Sequence, residues 1–185
     1  MQTWIILAIL AAAVIYVVAV FNRLVRQRNL VREGWSGIDV QLKRRTDLVP
    51  NLVETVKAYA AHERTVLTEV TAMRASSIAA SDVGSQASAE RGLQASLGKL
   101  LAVAEAYPEL KADKNFLALQ EQLAAIEDQL QMARRYFNGT VRDFNIGVQS
   151  FPDVLMARPL GWHEEHFFEI DAASAVAPAV NLSGA

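Results

Sequence analysis

The chain has no cysteine. That excludes disulfides, cysteine-ligated metals and thiol nucleophiles, and leaves the redox compartment open. Glycine and proline are scarce, 9 and 5 in 185 residues, which suits long helices better than a sheet-rich domain. Neither sign of charge dominates. The net charge is −2, with no polyanion-binding signature. Aromatic residues do not interleave with the basic ones as a single-stranded nucleic-acid site requires, so no nucleic-acid partner is expected. A glycine-rich phosphate loop is missing too, since "SDVGS" lacks the lysine and the spacing. No strand leads to a serine elbow.

Only three histidines are present. His62-Glu63 begins a zinc-protease helix motif, but Val66 stands where the second histidine belongs. His163 and His166 flank two glutamates, and at i and i+3 they can share a face with a carboxylate as third ligand. Their spacing does not match the protease motif, and they read as exposed polar residues ahead of "FFEI". Glu121, Glu127 and Asp128 read as an ordinary solvated helix face. No catalytic residue, metal ligand or cofactor is expected.

Apolar residues make up 52% of the chain and concentrate at the N-terminus. Trp4 to Phe21 carries no charge and a single hydroxyl, that of Tyr16. As a helix these residues span about 27 Å, close to the roughly 30 Å hydrocarbon layer. Trp4 at one end, with Tyr16 and Phe21 near the other, can serve as interfacial anchors. A cleaved signal peptide would show a positive start, a shorter core and a small-residue cleavage site. None precedes or follows this run, so an uncleaved anchor over residues 1–22 is expected. Arg23, Arg26, Arg28 and Arg32 follow it. Positive flanks stay in the cytoplasm, which places the rest of the chain there. Arg23, Arg26 and Arg28 can touch anionic lipid headgroups, each worth about 1 kcal/mol near the surface.

From Leu24 to Met73 a heptad seam runs through Val31, Ile38, Leu52 and Val66, interleaved with Trp35, Leu42, Val49, Val56 and Val70. Its phase is the same before and after Pro50. A bent continuous helix must keep phase, so packing along the seam is expected to offset the about 3 kcal/mol that an internal proline costs. The rival reading is a new helix capped by Asp47, with Pro50 in its first turn. A loop is expected around Ser81 to Ser85, a second helix over about 86–107, and "YPELKAD" as the next connection. A third helix over about 113–150 carries the seam Phe116, Leu119, Leu123, Ile126, Leu130, Ala133, Phe137 and Phe144. "FPDVLMARPLG" can hold one short helix, and residues 158–185 read as an extended or disordered tail. The expected fold is all-α: a transmembrane helix continuing into a long kinked helix over about 23–80, packed in an antiparallel helical bundle or coiled coil spanning 23–157.

A first helix of that length is roughly 88 Å long, and the second and third are about 33 and 55 Å. The lower part of the first seam then lacks an obvious partner. Apolar seams do not usually face water, so Trp35, Ile38, Leu42 and Leu52 are expected to meet another copy of the chain.

The block "FNRLVRQRNLVREGWSGIDVQLKRRTDLVPNLVETVKAYAAHE" resembles the opening of the LemA family of bacterial membrane proteins. "LLAVAEAYPELKADKNFLALQEQL", "ARRYFNGTVRDFNIGVQSFP" and "FFEI" resemble its later blocks. The departures are small. Gly34 stands where the family pattern has alanine before Trp35, and Phe137 and Gly139 stand in what is usually a tyrosine-rich stretch with alanine. The resemblance implies a short extracytoplasmic N-terminus, one span of the bacterial cytoplasmic membrane, an antiparallel bundle and no established enzyme activity. Relatives lie near membrane metalloproteases in genomes, and one branch belongs to magnetosome formation. A non-enzymatic, self-associating membrane scaffold is the expectation that follows. An adaptor for a membrane protease or quality-control complex, binding through "YPELKAD" and "RRYFNGTVRDFN", is the second, and a metal-dependent enzyme at His163 and His166 the third.

Overall fold

Two apolar seams at helical spacing, with few breakers between them, fold as helices throughout. The computed structural model describes residues 1–168, and no strand occurs among them. Six helices follow in order: α1 Gln2–Tyr59, α2 Arg64–Ala79, α3 Val83–Glu105, α4 Pro108–Lys111, α5 Lys114–Gln149 and α6 Val154–Ala157. Pro50 lies inside α1. The chain therefore does not restart at Asp47, and the unchanged phase of the seam across the proline is that of one helix.

Two compact units divide the described residues, one of Met1–Leu48 with Ala118–Phe167, the other of Val49–Leu117 with Phe168. In the first, α1 and α5 pair antiparallel, because partners climb one helix as they descend the other. Gln27 Nε2 donates to the Asp143 carbonyl at 3.2 Å. Trp35 lies against Phe137 with ring centroids 5.6 Å apart. Arg45 Nη1 donates to Glu127 Oε1 at 2.5 Å. Along this pair Leu24, Val31, Ile38 and Leu42 are buried on α1, and Leu130, Phe137, Val141 and Phe144 on α5. Each such side chain contributes about 1.5–3 kcal/mol. A Cβ added at Gly34 would sit 3.1 Å from the Phe137 Cα, so glycine lets the two backbones approach here. Two of the three positions singled out as departures from the family pattern, Gly34 and Phe137, thus face each other.

This pairing corrects the expectation from helix lengths. The seam has its partner inside the chain. Ile38 and Leu42 are buried in this unit, as Leu52 is in the other, and Trp35 is half-buried on Phe137. Ile38, Leu42 and Leu52 are thus covered within the chain, and Trp35 partly so.

In the second unit the expected helix over 23–80 is broken. α1 ends at Tyr59, residues 60–63 turn, and α2 begins at Arg64. "AAHE" contains no glycine or proline, and Glu63 makes no side-chain capping bond. The turn is held from outside: Tyr59 Oη donates to Asp113 Oδ2 at 3.1 Å and Tyr107 Oη to Glu63 Oε1 at 3.4 Å. α2 and α3 form an antiparallel hairpin, tied by Lys99 Nζ to Glu69 at 2.6 Å and by Ser77 Oγ to Glu90 Oε1 at 2.5 Å. Its loop is shorter than expected. Asp82 caps α3, its Oδ1 accepting from the Gly84 and Ser85 amides at 2.9 Å each, and Ser85 Oγ closes the capping box. "YPELKAD" contains a helical turn, α4, with Pro108 in its first position.

Residues 158–168 are not helical. Gly161, at φ 71°, ends the turn after α6. The Trp162 amide donates to the Ala157 carbonyl and the Gly161 amide to that of Arg158, the two bonds of a glycine-terminated helix end. The rest of the expected tail, from 169 onward, lies outside the described residues.

Candidate functional site

Met1 to Ala19 are exposed without exception, and Val20 is the first buried residue of α1. A soluble fold does not leave so long an apolar surface bare. This helix is long and apolar enough to cross a membrane. Where the exposed stretch ends, the segment after α5 closes on it. Asp153, 4% exposed, accepts from Tyr16 Oη at 3.2 Å and forms an ion pair with Arg23. Phe21 stacks on Trp162, ring centroids 5.4 Å apart and 26° from parallel. Asn145 holds the outgoing chain by both backbone groups of one residue, Glu165. Its Nδ2 donates to the Glu165 carbonyl at 3.0 Å, and its Oδ1 accepts from the Glu165 amide at 2.9 Å. A cavity of about 300 Å³ opens here, lined among others by Tyr16, Arg23, Gln27, Ser150 and Asp153.

Of the residues expected at the membrane boundary, Trp4 is 76% exposed at the far end of the apolar run. Tyr16 and Phe21 are brought together with Asp153 and Trp162. Arg23 is engaged by Asp153, Arg26 is exposed and Arg28 half-buried. His163 and His166 are both exposed. Among the described residues no three His, Cys, Asp or Glu side chains converge as a metal site would need.

Glu127 is not on a merely solvated face. It is the partner of Arg45, which is 0% exposed. Arg45 stands one heptad after Ile38 and one before Leu52, and an arginine on that apolar line is the trace a buried pair leaves in a sequence. Asp153, Asn145 and Trp162 were missed because they sit beyond the last heptad. The only trace of Asp153 and Trp162 is the apolar and aromatic content of "FPDVLMARPLGW", higher than a solvated tail needs.

A second cavity, about 690 Å³, lies at the turn between α1 and α2. Val53, Lys57, Ala61, Arg64, Leu67 and Thr68 are among its walls. It offers two cations and hydroxyls but neither a carboxylate nor a base among its lining residues. Beside this turn the Asp113 carboxylate accepts from the Phe116 amide, which holds it below the usual carboxylate range, with the Tyr59 hydroxyl adding to the effect. The Tyr59 phenol is raised by the same hydrogen bond and by the charge of Asp113.

The sequence profile of the LemA family matches residues 34–182. Magnetosome protein MamQ of Magnetospirillum gryphiswaldense is 23% identical over 159 residues, covering 72% of this chain and 58% of that protein. Magnetosome protein MamQ 1 of Paramagnetospirillum magneticum is 22% identical over 175 residues, 80% of this chain and 64% of its own length. Protein LemA of Metamycoplasma hominis is 26% identical over 150 residues, 80% of this chain and 68% of the relative. The chain thus spans 58% and 64% of the length of the two magnetosome proteins.

Proposed function

Because the chain belongs to the LemA family, we propose that it is a non-enzymatic, membrane-anchored helical scaffold: α1 fixes it in the bacterial cytoplasmic membrane and its helical units organise partner proteins or the membrane itself. The observation that carries this reading is the unbroken exposure of Met1 to Ala19 on a helix uncharged from Trp4 to Phe21. It is supported by what the buried polar groups do. Arg45 with Glu127, and Glu90 with Ser77 and Gln86, tie helices together; they are not aimed into a cleft where a substrate would react. Two of the relatives are named as magnetosome proteins, which favours membrane organisation as the process served.

The arginines after the apolar stretch favour the cytoplasmic side for the helical units. The chain has no cysteine, so Ser81→Cys, in an exposed turn, introduces its single thiol. A membrane-impermeant maleimide should label it only after the cells are opened. Labelling in intact cells reverses the orientation. Purification in mild detergent tests the scaffold role. A homo-assembly of fixed ratio sustains it. A co-purifying membrane protease makes the protein an adaptor, and a lone monomer without partners overturns both.

A further inference from the structure

We propose that the segment from Phe151 to Leu160 is a membrane-seated collar, bedded in the acyl–headgroup boundary around the base of the anchor helix. The proposal rests on the anchor reading above and goes beyond the arginines expected to meet headgroups. Its first ground is a length. Above the tie from Tyr16 to Asp153, residues 2–15 of α1 span only about 21 Å, against a hydrocarbon layer of roughly 30 Å. Apolar thickness is restored only if the layer reaches the level of Phe21, alongside the collar. Its second ground is the surface at that level. Phe151 is 80% exposed and Leu155 64%, with Leu160 and Ile146 also largely open. Phe151 and Ile146 line one cavity with Tyr16 of the anchor helix, whose own surface is apolar and exposed up to Ala19.

The polar groups at this level are arranged for such a setting. Asp153 would carry an uncompensated charge near hydrocarbon, but Arg23 pairs with it and Tyr16 donates to it. Trp162, stacked on Phe21, is a residue of membrane–water boundaries. Arg158, exposed just after α6, is placed for anionic headgroups. An amphipathic segment of this kind sits about 5–10 Å into the boundary layer, which matches the thickness that the bare helix lacks.

The test uses the full chain in vesicles of phosphatidylcholine and phosphatidylglycerol. Three single-cysteine forms, Val14→Cys, Leu155→Cys and Ser81→Cys, each carry an environment-sensitive fluorophore. Nitroxide lipids quench from within the bilayer and iodide quenches from water. The Leu155 label should respond to headgroup-depth nitroxide and show several-fold weaker iodide quenching than the Ser81 label. Adding Asp153→Ala should restore iodide access at Leu155 while leaving the Val14 label in lipid. If the Val14 label is quenched by lipid and the Leu155 label only by iodide, the collar is overturned and the anchor stands. If the Val14 label is reached by iodide alone, the anchor reading falls and the collar with it.

Discussion

The two units hold themselves together over very different distances along the chain. In the unit of Met1–Leu48 and Ala118–Phe167, the polar ties that α1 makes to the later chain join residues 82 positions apart, as in Arg45 with Glu127, or 137 apart, as in Tyr16 with Asp153. In the unit of Val49–Leu117 they join residues 3 apart at the Asp82 cap, 13 apart at Ser77 and Glu90, and 54 apart at Tyr59 and Asp113. Closing a longer loop costs more entropy, though only slowly with length, and non-local contacts form later in folding. The α2–α3 hairpin can assemble from neighbouring sequence. The α1–α5 pair must wait for both of its strands of chain.

The largest effect expected is on the long-range unit. Glu127→Ala takes a partner from the fully buried Arg45. Removing one member of a buried pair costs 3–5 kcal/mol, and the low end, about 3 kcal/mol, applies because the Glu127 side chain is 29% exposed. Amide hydrogen exchange should quicken over 24–48 and 118–148 and change little within α2 and α3. Equal quickening in the hairpin would dissolve the division into two units. The counterpart is Glu90→Ala, which strips Ser77 Oγ and Gln86 Nε2 of a buried acceptor. Leaving such groups unsatisfied costs about 2 kcal/mol. Its exchange signature should fall on α2 and α3, and a loss of protection in α1 before Leu48 would count against it.

A smaller and sharper contrast lies between two glycines of one turn. A Cβ at Gly37 meets nothing within 4 Å, whereas at Gly34 it meets the Phe137 Cα at 3.1 Å. Gly37→Ala should stabilise by about 1 kcal/mol through helix propensity alone. Gly34→Ala gains the same propensity but forces the helices apart, and overpacking typically costs about 1–3 kcal/mol. Urea midpoints should move in opposite directions. Equal midpoints would mean that the α1–α5 approach is not as close as the Trp35–Phe137 contact implies.

The seams of α1 and α5 were legible because burial repeats every seven residues, and Pro50 was legible as an internal proline because phase survives it. The "SDVGS" stretch carries the capping box of α3, with Asp82 and Ser85 three positions apart. What could not be read was tertiary in origin. Residues 60–63 carry no local stop signal, and the turn there depends on Tyr107 and Asp113, about fifty positions away. The unpartnered seam inferred from helix lengths was wrong for the same reason. The break shortens the first helix, and α5 covers the part that seemed bare. The site around Asp153 depends on Tyr16 and Arg23 meeting a segment beyond the last heptad, and no periodicity announces that encounter.

The smallest effect separates the units by pH. In the unit of Val49–Leu117, Asp82 is held below the usual carboxylate range by the Ser85 hydroxyl first and then by the Ser85 and Gly84 amides, and Asp113 chiefly by the Phe116 amide. A carboxyl lowered in the folded state contributes stability that is present above its ordinary value and is lost as pH falls through its folded value. Acid should therefore fray the first turns of α3 and α5 while the hairpin core persists. Tyr59 runs the other way. Its phenol is raised, so its contribution is complete below the ordinary tyrosine value and is lost as pH rises through the folded one. Amide shifts of Gly84, Ser85 and Phe116, followed through an acid titration, should move together with loss of the caps. Asp82→Asn keeps an acceptor for the amides but cannot titrate, so it should flatten the response at Gly84 and Ser85 and leave that at Phe116 intact. If the Gly84 and Ser85 response survives in Asp82→Asn, the acid sensitivity of α3 comes from elsewhere than its cap.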